Sequence, residues 1–283
     1  MVGPPLAVTG STGALGGLVA RGLAVRGVPQ RLLVRAPDQA PALDGAVVLP
    51  CSYGDREAAV AALEGVETLL MVSASESADR LDQHRSFVDA AAEAGVRQVV
   101  YTSFVSAAAD CTFTLGRDHW ATEEHIRQSG LSHTFLRDNF YLDFTPLMAG
   151  EDGVIRGPAG DGRLSAVARA DIAAVAVEIM ADPAPHAGAT YSLTGPEAFT
   201  LGEAAAVISE VTGRAVSFHD ETIDEAYESR RRWEAPDWQY DAWVSTYTAI
   251  KAGEHAAVTD DVRRVTGRDP VGLRAYLEGD AAR

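Results

Sequence analysis

The stretch Leu6-Ala7-Val8-Thr9-Gly10-Ser11-Thr12-Gly13-Ala14-Leu15-Gly16 constrains this chain more than any other. A short apolar run leads into three glycines at G-x-x-G-x-x-G spacing, and a helical pattern follows. Each glycine has a job in a nucleotide-binding strand-to-helix turn. Gly10 permits the tight turn after the strand, Gly13 lets the backbone approach a pyrophosphate, and Gly16 lets the new helix pack against the sheet. The helix start then offers unpaired N–H groups and a positive dipole end to the phosphates. The strand before and the helix after are both in place, so the triplet reads as a cofactor turn rather than an ordinary glycine-rich loop.

Beyond the turn, strand and helix patterns alternate. Apolar runs predict strands over residues 6–9, 31–35, 46–51, 68–73, 98–102 and 133–137. Helical patterns cover 15–26, 56–63, 79–94 and 119–129, the last three closing on Gly65, Gly95 and Gly130, the residue type favoured just past a helix end. Strands joined by helical crossovers imply an α/β fold, a Rossmann-type doubly wound parallel sheet with helices on both faces. The Val- and Leu-rich strands suit burial on both faces.

After Arg137 the rhythm changes. Residues 139–149 predict a short helix, the Gly/Pro-rich run 153–162 a loop or hairpin, 170–180 a helix and 190–193 a late strand; from Thr200 the pattern is mostly helical. The expected organisation is therefore a dinucleotide-binding domain over 1–138, to which 165–196 adds a helix and a strand. Residues 139–164 and 197–283 form a smaller, mainly helical substrate lobe. That lobe holds Trp233, Trp238, Tyr240, Trp243 and Tyr247, the last three on one helical face. They read either as the core of a small lobe or as an aromatic wall over a planar substrate.

Charge narrows the partners. Lys+Arg 24 minus Asp+Glu 40 gives −16, which argues against nucleic-acid and anionic-membrane surfaces. No apolar run reaches the roughly 20 residues of a membrane span, and no basic segment precedes an apolar one at the N-terminus, so no signal peptide is expected. Cys51 and Cys111 lie far apart without metal-ligand spacing and read as reduced thiols of a cytoplasmic protein. The Ala/Arg bias suggests a GC-rich bacterial genome. His119 and Glu123 share a helix face but His125 does not, so no metal site is expected.

Several motifs in order carry a family resemblance: the Val8–Gly16 fingerprint, Leu33-Val34-Arg35, Ser52-Tyr53-Gly54-Asp55, Tyr101-Thr102-Ser103, His119 before Thr122-Glu123, Leu136-Arg137-Asp138-Asn139-Phe140-Tyr141, and Gly157–Arg163 with Arg169-Ala170-Asp171. The chain resembles the atypical short-chain dehydrogenase/reductases of the NmrA-like group, and within it the bacterial type-2 NAD(P)H:quinone oxidoreductases. The motifs run from residue 6 to about residue 195; the last third matches only in general pattern.

The resemblance implies NADP(H) as cofactor, with NAD(H) possible. Gly10, Thr12, Gly13, Leu15 and Gly16 would hold the pyrophosphate. Arg35 ends the second strand, where an arginine accommodates the 2′-phosphate of NADPH and NAD sites carry an acid. Type-2 quinone reductases have a second basic residue a few positions on; here Asp38 and Gln39 stand there. Asp55 corresponds to a residue near the adenine and also suits a helix N-cap. Val72, Ser73 and Ala74 would line the ribose–nicotinamide path, and Thr102 and Ser103 would lie beside the nicotinamide. Asn139 and Phe140 would border the nicotinamide and substrate.

Catalysis must do without the Tyr-x-x-x-Lys pair of the main short-chain dehydrogenases, because the one lysine is Lys251. His119 is a candidate to bond the ribose or donate a proton, Asn139 to orient a carboxamide or carbonyl, and Tyr141 to donate a proton; His119 also reads as a partly buried packing residue. Two functions fit. One is an NADPH-dependent oxidoreductase passing hydride to a flat conjugated acceptor such as a quinone, acting as a monomer or homodimer. The other is a non-catalytic NAD(P)-binding redox sensor, as among NmrA-like regulators. An isomerase or lyase of the same fold would leave NADPH unconsumed.

Overall fold

The computed structural model describes residues 3–279; the parts of the expected domains at 1–2 and 280–283 lie outside the described residues. The chain alternates β1 (Leu6–Thr9), α1 (Ala14–Val25), β2 (Gln30–Val34), β3 (Ala46–Pro50), α2 (Arg56–Leu63), β4 (Thr68–Met71), α3 (Arg80–Glu93), β5 (Gln98–Phe104), α4 (Thr114–Gln128) and β6 (Ser132–Asp138). After α5 (Arg169–Ala181), β9 (Thr190–Leu193) joins the same sheet. The strand order is β3-β2-β1-β4-β5-β6-β9. The β1–β2, β2–β3, β1–β4 and β4–β5 ladders are parallel, with Val8 opposite Leu32 on one side and Leu70 on the other. The order reverses between β1 and β4, and in open sheets of this kind ligands bind beyond the carboxyl ends of the strands at that point.

The chain divides into two compact units. Among the described residues, one takes the chain up to Ser103 with Asp118–Arg137 and Ile172–Tyr191; the other takes Phe104–Arg117, Asp138–Asp171 and the chain from Ser192 on. The sequence reading assigns residues 104–117 to the first domain, whereas they group with the second unit. The first unit is built on a core that includes Leu69, Met71, Phe87, Val99, Tyr101 and Phe135, with Tyr53 stacked on Phe87 at 4.2 Å. Burying each such side chain is worth about 1.5–3 kcal/mol.

The second unit contains β7 (Val154–Gly157), β8 (Arg163–Leu164), β10 (Phe199–Thr200), α6 (Leu201–Thr212), β11 (Ser217–Asp220), α7 (Ile223–Arg230), α8 (Asp237–Lys251), α9 (Asp261–Thr266) and α10 (Leu273–Leu277). Its core gathers Leu142, Ile155, Leu164, Phe199, Leu201, Ile208 and Ile250. Helices α6 and α7 start with capping boxes, Thr200 with Glu203 and Thr222 with Glu225, which satisfy first-turn donors reciprocally.

Four sequence expectations change here. The helix over 139–149 is a 3-10 turn, Leu142–Leu147, with Pro146 inside it; proline removes a donor and crowds an α-helical ladder. The run 153–162 is no hairpin, because β7 pairs in parallel with β11 and β8 pairs with β10. The mostly helical tail thus contains a strand, β11, whose four residues are too few for a legible period. Helix α4 also starts five residues before the expected 119.

Candidate functional site

In the first unit, the glycine turn has the form its spacing requires. Gly10 follows β1 with φ of 65°, and its Cβ would stand 3.2 Å from the Val72 Cβ. The Gly13 N–H donates to the Gly10 carbonyl at 2.9 Å. A Cβ on Gly16 would lie 2.4 Å from the Gly10 oxygen and 2.7 Å from that of Thr9, so only glycine lets α1 start this close to the strand end. Gly13 caps α1 without a side chain, and no acidic residue occupies the first turn. The N–H groups of Ala14, Leu15 and Gly16 therefore have no intrahelical acceptor and no local anion to offset the dipole. Thr12 is exposed at the apex, while the Ser11 Oγ is buried without a hydrogen-bond partner. Bare backbone, unpaired donors and an unsatisfied hydroxyl fit a dinucleotide diphosphate.

Arg35 stands directly after β2, exposed and without an ion pair among the described residues. Asp38 and Gln39 occupy the short 3-10 turn that follows. Asp55 is the N-cap of α2, accepting from the Ala58 N–H at 3.1 Å. Tyr53 donates to the Val72 carbonyl at 2.6 Å, and the Val72 N–H donates to the Thr9 Oγ1 at 2.9 Å. These bonds tie the ends of β1 and β4 together beside Gly10.

Polar clips continue to the next strand end. The Ser73 N–H donates to Thr102 Oγ1 at 2.8 Å. The Ala74 N–H donates to His84 Nε2 at 2.9 Å, so His84 carries its proton on Nδ1, facing Thr122 Oγ1 at 2.9 Å. Arg80 donates through Nε to the Ala74 carbonyl at 2.9 Å and through Nη2 to His119 Nε2 at 3.0 Å. His119 Nδ1–H then faces the Tyr101 hydroxyl at 3.0 Å. Burial, with Arg80 nearby, pushes His84 down to about 3 and His119 well below the usual imidazole range.

His119 is thus corrected: it is a neutral, buried ring with both nitrogens committed, not a proton donor or ribose ligand. Ser103 is corrected in part. Its hydroxyl proton is committed to Glu123 at 2.6 Å, so it donates to no ligand. Glu123, fully buried, also receives Arg137 through two bonds, at 2.8 and 2.6 Å. Sequence reasoning missed Arg80 and His84. Their i, i+4 spacing on α3 opposite a His and Thr at i, i+3 on α4 is the signal that could have found them.

In the second unit, Asn139 is 1% exposed and fully engaged. Its amide donates to Ser165 Oγ at 2.9 Å and to the His255 carbonyl at 3.0 Å, and its oxygen accepts from the Phe140 N–H at 2.8 Å. With no bonding capacity turned outward, it pins the chain after β6 and orients neither carboxamide nor carbonyl. Phe140 is half-buried and packs edge-on to Phe104 and His255, each at 5.0 Å, against the core of this unit.

Tyr141 alone of the three expected catalytic residues keeps a role open to chemistry. It is half-buried, and the nearby carboxyl of Asp138 acts on its hydroxyl. Asp138 is 4% exposed, and its Oδ2 has no hydrogen-bond partner. Burial raises it to about 8, against a smaller lowering effect of Tyr141, and burial together with Asp138 raises the Tyr141 hydroxyl well above its usual value. Sequence reasoning passed over Asp138.

Tyr247 packs against the core of the second unit and, with Trp233 and Trp243, also lines a cleft there. Among the described residues no cluster of His, Cys, Asp and Glu could hold a metal, and no helix is long and apolar enough to cross a membrane.

The sequence pattern of the NmrA-like family matches residues 5–229. Quinone oxidoreductase 2 of Escherichia coli (strain K12) is 38% identical over 223 residues, covering 76% of this chain and 77% of its own. The NAD(P)H azoreductase of Xenophilus azovorans is 30% identical over 280 residues, 97% of each. The crystal structure of the NADPH-dependent quinone oxidoreductase QOR2 of E. coli in complex with NADPH superposes with a TM-score of 0.89 at 32% identity, over 97% of this chain and 99% of that one. The glycine turn at the β1–β4 switch point and this extent of likeness make the chain a member of the NmrA-like family.

Proposed function

We propose that the chain is an NADPH-dependent oxidoreductase that reduces a flat conjugated acceptor such as a quinone. The observation that carries this reading is the turn at Gly10–Gly16, bare where Cβ atoms would block it and lined with unpaired donors. It stands in a chain similar along nearly its whole length to an NADPH-bound quinone reductase. Bound NADPH supplies the hydride. Gly10, Thr12, Gly13, Leu15 and Gly16 hold the diphosphate through backbone N–H groups, and the buried Ser11 hydroxyl gains a partner. Arg35 takes the 2′-phosphate; with acidic Asp38 nearby rather than a second cation, NADH remains usable. Val72, Ser73, Ala74, Thr102 and the Ser103 backbone line the path toward the nicotinamide, held in register by His84, Arg80 and His119. Asp55 stays with its helix cap.

Reducing a quinone asks little of an acid catalyst, because the ring itself stabilises the product anion. Position and exclusion of water carry most of the work. Tyr141 supplies what proton is needed. Cys51 and Cys111 are free buried thiols, consistent with a reducing compartment, and we read the protein as cytoplasmic.

The test is NADPH oxidation against a panel of simple quinones, with NADH in parallel. Turnover faster with NADPH is expected. Tight NADPH binding with no turnover on any acceptor overturns the reductase reading and leaves a nucleotide sensor.

A further inference from the structure

The second unit carries a cleft that the reading above does not use. Its volume of about 500 Å³ falls in the range of small-molecule sites. Trp233 and Trp243 form one wall, meeting edge-to-face at 6.1 Å, and Tyr240 braces Trp243 from behind at 5.7 Å. Leu147 and Trp233 on the lining are 72% and 49% exposed. Large apolar side chains kept at the surface around a concavity mark a binding surface.

The charge of the lining is the unusual part. In a chain of net charge −16, the lining residues include Arg156, Arg230 and Arg232 and no carboxylate among the described residues. Two of these are neutralised by acids that do not line the cleft: Asp152 pairs with Arg156 at 2.6 Å and Glu221 with Arg230 at 2.9 Å. Arg232 has no ion pair among the described residues, and its guanidinium lies 4.0 Å over the Trp233 ring. The cleft therefore holds an uncompensated cation on an aromatic wall. A guanidinium is weakly hydrated and planar, so it both stacks and takes an anion without a large dehydration cost.

We propose that this cleft binds a planar aromatic molecule carrying an anionic group, with its rings against Trp233 and Trp243 and its anion on Arg232. The acidic surface elsewhere repels such a ligand, which concentrates its binding here. The proposal concerns binding and stands apart from hydride transfer.

The test is calorimetric titration of the full chain, without dinucleotide, using naphthalene-2-sulfonate and the uncharged 2-naphthalenemethanol as probes. The sulfonate is expected to bind about fivefold tighter at low salt, and added salt weakens the sulfonate alone. Arg232→Gln brings the two affinities to within about twofold of each other, and Trp233→Ala weakens both by about tenfold. Both side chains are exposed, so the variants should fold, which melting curves check. The proposal is overturned if the unaltered protein binds the two probes equally or not at all, if its preference ignores salt, or if Arg232→Gln leaves the preference intact.

Discussion

The buried carboxyl of Asp138 and the Tyr141 hydroxyl, three positions later in the chain, shift each other's titration. Burial raises that carboxyl to about 8, far above its unfolded value of roughly 3.9. Between these values the native state binds a proton that the unfolded state does not. Asp138 thus favours folding below about pH 4, and the benefit is lost as pH rises toward 8. Asp138→Asn keeps the size and polarity of the side chain and removes the titration. Chemical denaturation should show it about 1–3 kcal/mol more stable than the parent at pH 8, with no gain at pH 4. An equal gain at both would mean that Asp138 does not titrate in this window.

His255 gives the opposite slope. Its ring is 1% exposed, both nitrogens lack partners, and Phe104 and Phe140 meet it edge-on at 5.3 and 5.0 Å. Burial lowers it to about 4, so its contribution is present above pH 6.5 and lost as pH falls toward 4, by up to about 3 kcal/mol. His255→Leu should match the parent at pH 7 and lose less stability at pH 4.5. A parallel loss in both proteins would rule His255 out as a source of the acid sensitivity.

Gly16→Ala tests the close approach of α1 to β1. The added methyl meets the Gly10 carbonyl at 2.4 Å, so the helix must move, at about 1–3 kcal/mol of stability. Displaced first-turn donors should weaken NADPH binding by at least about tenfold, read by calorimetry. Gly202→Ala, on α6 where the added methyl would meet only the Thr200 hydroxyl at 3.8 Å, supplies a control with no effect on binding.

Arg35→Glu places an acid where a 2′-phosphate is expected. The ratio of kcat/KM for NADPH over NADH should fall by about tenfold or more. An unchanged ratio would remove Arg35 from the cofactor site.

Glu123 is a structural anchor, receiving Ser103 and Arg137 while fully buried. Glu123→Gln should cost about 1–3 kcal/mol because it weakens charge-assisted bonds from Arg137 and Arg127 to a buried carboxylate. Turnover per folded molecule should fall far less than stability does. A folded, stable but inactive variant would make Glu123 part of the chemistry instead.

Much of the fold was legible because it depends on neighbours in the chain. The Gly10 turn, the Asp55 cap of α2 and the alternation of strands with helices follow from short-range preferences, and β9 falls on the residues expected for it. The short strands β7 and β11 were not legible. Each has four residues, and their pairing joins Val154 to Ser217, which no local pattern records. The helix expected after β6 runs through Pro146, and a 3-10 turn stands in its place.

By itself the sequence determined the class of fold, the phosphate-binding turn and the absence of a Tyr–Lys catalytic pair, since each rests on residue type and spacing. Only the tertiary structure decided which polar groups are free. His119, Asn139 and Ser103 look reactive in the sequence, yet Arg80 and Tyr101 close on the first, Ser165 and the His255 carbonyl on the second, and Glu123 on the third. Asp138, unremarkable in the sequence, is left with an unpaired buried oxygen. A buried polar group must find its partner wherever the fold brings one, and those partners lie from 18 to 116 positions away.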